Sequence, residues 1–116
     1  MFCVIYEFTI KPGKNEIFER SWADFTEAIY RVRGSLGSRL HISTEPNKYM
    51  AYAQWPSEEI FNDIPGDEKY STDELKARET MRNSILETKT IYKMQILKDH
   101  LREASTAPAK PCTKKV

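Results

Sequence analysis

FCVIYEFTI, residues 2–10, is dense in β-branched and aromatic side chains and stops at Lys11-Pro12-Gly13, which predicts a strand running into a loop. Side chains alternate across a strand, so Phe2, Val4, Tyr6, Phe8 and Ile10 share one face and Cys3, Ile5, Glu7 and Thr9 the other. Both sets are largely apolar, and both faces are expected to be covered. Downstream, Phe18, Trp22, Phe25, Ile29 and Val32 recur every three or four residues, the period of an amphipathic helix, and Gly34 is a natural stop for it. Segments 38–43 and 49–55 flank Glu45-Pro46-Asn47 and predict a hairpin. Ser57 offers a cap for a short helix that Pro65-Gly66 limits. Ser71 and Glu74 fit a capping box for a further helix, with Ala77, Met81 and Ile85 as an i, i+4 ladder. A last β-like run spans Thr88 to Leu97.

The order βαββαβ, with its second helical region in two pieces, is the α+β, ferredoxin-like split βαβ arrangement. That fold has a four-stranded antiparallel sheet with helices on one face. Placing Phe2, Val4, Tyr6 and Phe8 on the uncovered face exposes several side chains, each worth about 1.5–3 kcal/mol when buried. A monomer would not leave such a patch in water, so a homodimer with two sheets packed face to face is expected.

A chain of 116 residues holds one domain. Residues 1–98 form it, and 99–116 are expected to be a polar, flexible tail ending in ASTAPAKPCTKKV. The hydrophobic share of 40% and the near balance of 18 Lys+Arg against 17 Asp+Glu describe a soluble globular chain without the basic field of a nucleic-acid binder. No apolar run reaches the roughly 18–20 residues that a membrane span needs. The chain opens on its first strand without a basic leader, so a cytoplasmic location with no membrane partner is expected. Cys3 and Cys112 make neither a disulfide framework nor a ligand cluster and read as one buried and one exposed thiol. With His41 and His100 as its two histidines, the chain lacks the usual ligands of a zinc site, and no metal is expected.

Three stretches carry a likeness: Lys11-Pro12-Gly13-Lys14 after the first strand, Gly34-Ser35-Leu36-Gly37-Ser38-Arg39-Leu40-His41, and Tyr52-Ala53-Gln54-Trp55 followed by Ser57-Glu58. They resemble the antibiotic biosynthesis monooxygenase family over roughly residues 1–97. The resemblance implies a dimeric α/β barrel. In the family's aromatic oxygenases, it also implies a flat phenol held between sheet and helices and oxidised by O₂ without metal or flavin, hence no cofactor. Trp55 and His41 fall where those enzymes have a tryptophan and a histidine. Ala51 stands for their asparagine and Phe61 for their tyrosine, and their helix arginine falls near Lys76. The haem-degrading branch is excluded, because Glu7 and Ile64 replace its asparagine and tryptophan and no histidine lies between Ser71 and Leu86 to bind iron.

Trp55, Ala53 and Ala51 share a strand face, which the resemblance makes the helix-facing one. Two alanines beside a tryptophan leave volume for an aromatic-walled pocket, unless Phe18, Trp22 or Phe25 fills it. Glu7 is placed by this scheme inside the sandwich of sheet and helices as a base for a phenol, or in an ion pair with Lys93 or Arg39. His41 and Arg39 share a face and are assigned to an oxyanion, with a solvent-facing or partner-facing edge as the alternative. Tyr6, Tyr52 and Gln54 are assigned to the dimer interface. The expected function is a cofactor-independent monooxygenase for a small aromatic or quinol-type compound. Its catalytic pair is His41 and Glu7, and its substrate contacts are Trp55, Ala51, Ala53, Phe61 and Arg39. The alternative is a non-catalytic protein of the same fold that binds a small ligand.

Overall fold

The computed structural model describes residues 1–102. The elements are β1 (Phe2–Ile10), α1 (Asn15–Arg33), β2 (Gly37–Ile42), β3 (Lys48–Trp55), α2 (Glu58–Asn62), α3 (Thr72–Ser84) and β4 (Ile85–Gln95), with one 3₁₀ turn at Asp67–Lys69. The strands make a four-stranded antiparallel sheet in the order β2-β3-β1-β4, the ferredoxin-like topology. Gly34 ends α1 in the left-handed conformation, φ 75°, which costs glycine nothing. Asn47 takes φ 61° in the β2–β3 turn, a conformation asparagine tolerates better than most residues. Ser57 caps α2 by accepting the Ile60 N–H, and Ser71 and Glu74 close the capping box of α3 from both sides.

Two expectations are corrected. First, Ile85 is not the last rung of the α3 ladder but the first residue of β4, which begins three residues before Thr88. No loop intervenes, because the Lys11 N–H donates to the Ser84 carbonyl and Ile85 pairs with Ile10. Second, the faces of β1 are the reverse of those assigned. In an antiparallel ladder, residues directly opposite each other point to the same side. The register sets Phe2 opposite Trp55, Val4 opposite Ala53, Tyr6 opposite Ala51 and Phe8 opposite Tyr49, so this whole set faces the helices.

The core accordingly packs under α1. Phe18 lies 5.3 Å from the Phe8 ring and 5.0 Å from Tyr49, centroid to centroid. The outer sheet face carries Cys3, Ile5, Glu7, Met50, Tyr52 and Gln54, joined by Arg39 and His41 of β2. Residues after β4 turn back toward this face: the Ile96 N–H donates to the Met1 carbonyl, and Leu101 shares a concavity with Arg39 and Tyr52. Cys3 is buried as expected, with Sγ 3.0 Å from the Tyr52 hydroxyl. Cys112 and most of the expected tail lie outside the described residues. Among the described residues, no helix is long and apolar enough to cross a membrane.

Candidate small-molecule site

The buried residues form two clusters rather than one. Phe8, Ile10, Phe18, Tyr49 and Ala51 make the first, and Phe2, Val4, Ala53 and Trp55 the second, with Tyr6 packed against both. A small domain ordinarily has one contiguous core. Here the division falls at Ala51 and Ala53, whose methyl groups are too short to fill the space between sheet and helices. That space is a cavity of about 360 Å³. Ala51, Ala53 and Tyr6 belong to its sheet side, Trp22, Phe25 and Ile29 to its α1 side, and Met81 and Ile85 close it near the start of β4. Its size is at the lower end of the range for small-molecule pockets, roughly 300–1,000 Å³. Trp22 walls the cavity and does not plug it.

The walls are braced from behind. Phe25 packs on Tyr70 at 5.6 Å, and Arg78 lies over both rings while its guanidinium holds the Asp67 carboxylate through two hydrogen bonds of 3.0 and 2.8 Å. That pairing holds the Asp67 carboxyl below the usual aspartate range. At the first cluster, the Tyr49 hydroxyl donates to Glu19 and accepts from Asn15 at 3.1 Å, which ties β3 to α1.

Two polar side chains of the lining, Arg33 and Tyr6, bear most directly on its chemistry. Arg33, the last residue of α1, places its guanidinium 4.7 Å from the Trp55 ring centroid, and its Nη2 donates to the Phe61 carbonyl at 2.5 Å. Burial pushes the Tyr6 phenol above the usual tyrosine value, and the positive charge of Arg33 draws it partly back. Tyr6 therefore stays a neutral hydroxyl at physiological pH. Neither Tyr6 nor Arg33 was assigned to the site from sequence.

Of the residues expected there, Trp55, Ala51 and Ala53 come together in the cavity, and Trp55 is 3% exposed. Phe61 does not join its lining; it stands against Trp55, edge to face at 5.4 Å, and 5.5 Å from Phe2. Glu7, His41 and Arg39 are across the sheet, on the outer face, because each lies one residue out of phase with the cavity set. Glu7 pairs with Lys48 at 3.6 Å, a cation not considered for it from sequence. His41 is exposed, with Nδ1 3.3 Å from the Met50 carbonyl. The expected catalytic pair thus cannot share a pocket with Trp55. Tyr6 likewise leaves the assigned outer face for the cavity, while Tyr52 and Gln54 do lie on the outer face, where the Gln54 amide donates to the Tyr52 hydroxyl at 3.1 Å. Among the described residues, no cluster of three or more His, Cys, Asp or Glu side chains is placed to hold a metal ion.

Comparison with known proteins gives a consistent fold. A Bordetella bronchiseptica protein assigned as an antibiotic biosynthesis monooxygenase superposes with a TM-score of 0.64 at 23% identity, covering 83% of this chain and 96% of its own. One from Nitrosomonas europaea, similarly assigned, gives 0.63 at 19% identity over 84% of this chain and 100% of its own. SnoaB of Streptomyces nogalater, a cofactor-independent oxygenase solved in a mutant form, gives 0.62 at 16% identity over 87% of this chain and 97% of its own. At these identities the likeness is one of fold. No curated protein matches the chain by sequence. The family model for antibiotic biosynthesis monooxygenases, however, matches residues 1–64, a span that contains β1, α1, the β2–β3 hairpin and both Arg33 and Trp55. Covering more than half of the sequence, that match places the chain in the antibiotic biosynthesis monooxygenase family.

Proposed function

We propose that the protein is a cofactor-independent monooxygenase whose substrate is a flat, electron-rich phenol or quinol-type compound. The observation that carries this reading is the open cavity over Ala51 and Ala53, walled by Trp22, Phe25 and Trp55. Family membership and the likeness to an oxygenase that needs no cofactor support it. Aromatic walls hold a planar ring, and offset or edge-on contacts add about 0.5–1.5 kcal/mol per ring pair beyond burial. In the balanced reaction of an anthrone-type member of this class, whose keto tautomer carries a ring methylene, ionisation removes one methylene proton and O₂ takes four electrons in all: the second C–H bond then breaks, a carbonyl forms with one oxygen atom, and the other leaves as water with both hydrogens. The protein's contribution is to bind and orient the ring and to favour its anion.

Oxygen uptake with a panel of hydroquinones and anthrone-like phenols tests the reading. Trp55→Phe is expected to lower kcat/KM by about a hundredfold, the scale of losing a donor aimed at developing charge. His41→Ala, across the sheet, is expected to leave it unchanged. Uptake no faster than autoxidation contradicts an enzyme. Ala51 and Phe61, apolar where the family's aromatic oxygenases are polar, favour one second reading, a non-catalytic protein that binds the same class of ligand. Saturable binding without uptake selects it.

We also infer a homodimer, formed now through the outer face. Ile5, Met50, Tyr52 and Tyr92 lie on that face, and Tyr92 is 63% exposed. Sedimentation at micromolar concentration is expected to give twice the 13.5 kDa protomer mass. A single species at the protomer mass contradicts it.

A further inference from the structure

Among the described residues, two buried side-chain nitrogens lack any hydrogen-bond partner: Nε of Arg33 and Nε1 of Trp55. Both residues line the same cavity, and they are in contact, guanidinium over indole. Buried donors are paired in the great majority of proteins, so two unpaired ones in adjoining side chains call for a shared explanation. Arg33 cannot swing away to water freely. Its Nη2 is bound to the Phe61 carbonyl, and its charge lies against the Trp55 and Phe61 rings, 4.7 and 5.9 Å from their centroids. Nor does a carboxylate neutralise it: no Asp or Glu lines the cavity, and the ion pairs among the described residues involve Arg31, Lys48 and Arg78 instead. A second positive charge lies near this end, with Lys93 Nζ 5.6 Å from the Phe61 ring.

A guanidinium N–H and an indole N–H donate and never accept. Their complement is an oxygen that only accepts, and because the Arg33 charge has no carboxylate partner in the cavity, an ionised oxygen matches it better than a neutral carbonyl or a hydroxyl that must place a proton of its own. We propose that Arg33 and Trp55 together form an oxyanion site, which selects the phenolate form of an aromatic ligand over the neutral phenol. The Tyr6 hydroxyl lines the same cavity as a further donor. This inference rests on the ligand class and the anion proposed above and adds the residue that selects that anion. Arg33 is then a substrate-binding residue contributed by the end of α1.

The test is binding, not turnover. 4-Nitrophenol ionises near neutral pH and changes colour when it does, so its bound pKa can be read by absorbance. Nitrobenzene has the same nitro-substituted ring without the phenolic oxygen, and 4-nitrobenzoate offers a carboxylate in its place. The wild type is expected to bind the phenolate about tenfold more tightly than the phenol, which lowers the bound pKa by about one unit. Arg33→Met is expected to abolish that shift while leaving nitrobenzene affinity unchanged. Trp55→Phe, which keeps the ring under the guanidinium but removes the N–H, is expected to reduce the shift and serves as the second variant if Arg33→Met fails to fold. Nitrobenzene binding with no preference for phenolate overturns this inference alone, as does a preference that survives both substitutions. Tighter binding of 4-nitrobenzoate than of the phenolate overturns the assignment to a phenol oxygen. Failure of every probe to bind overturns the cavity's role as a ligand site, and this inference with it.

Discussion

Ala51→Leu is expected to reduce the affinity for an aromatic ligand by about a hundredfold, equivalent to about 2.7 kcal/mol, while the domain keeps its stability. Ala51 points from the middle of β3 into the cavity of about 360 Å³, directly opposite Tyr6 and beside Leu40 of β2. A leucine there extends into existing space rather than into packed atoms. The added carbons occupy the volume that the ring would take, and their burial offsets any small strain, since each buried methylene contributes about 0.8 kcal/mol. Overpacking a filled core instead costs about 1–3 kcal/mol. The two cases separate cleanly in paired measurements, calorimetric titration with 2-naphthol and urea unfolding. Lost binding with unchanged stability marks an open ligand cavity. Lost stability with or without binding marks a position already packed.

The largest effect on stability is expected at Phe18. It is fully buried on α1, with Phe8 and Tyr49 against its ring, and it is the helix residue that anchors the first core cluster to the sheet. Phe18→Ala is expected to lower the unfolding free energy by about 3–5 kcal/mol, the range for deleting a buried aromatic side chain. Small domains have only about 5–15 kcal/mol in total, so much of the variant population would unfold at modest urea concentration. A loss under 1 kcal/mol in urea unfolding would mean that the first cluster is not the principal core. The contrast with Ala51 is instructive, because the two residues lie in the same cluster and are expected to respond in opposite ways.

The elements were legible in the sequence because each rests on local chemistry. Lys11-Pro12-Gly13 stops a strand, Gly34 ends a helix, and Ser71 with Glu74 opens one, whatever the rest of the chain does. The sides of the sheet were not legible in the same way. Alternation sorts β1 into two sets but does not say which set meets the helices, and Cys3 and Ile5 made the second set apolar enough to be taken for an interior face. Only the register resolves it, since Phe2 opposite Trp55 and Tyr6 opposite Ala51 pair large rings and small floors on one side. Glu7 moved with its set, and the expected base left the pocket. His41 and Arg39 followed from their own pairing with Met50 and Tyr52. Arg33 is hard to read from the sequence for a different reason. A basic residue in the last turn of a helix is ordinary, because it complements the helix dipole. Its spacing carried the missed signal: Arg33 stands four residues after Ile29 and so continues the stripe of Trp22, Phe25 and Ile29 into the core.

The central claim is that the ligand site lies between the sheet and α1, beneath Trp55, and not on the outer face that bears His41 and Glu7. A crystal structure of the protein grown with 2-naphthol tests it directly. The ring is expected between Trp22, Phe25 and the floor of Ala51 and Ala53, with its oxygen within hydrogen-bond distance of Arg33 Nε or Trp55 Nε1. A cavity left without the ring, with naphthol bound beside Arg39 and His41 instead, would contradict the account.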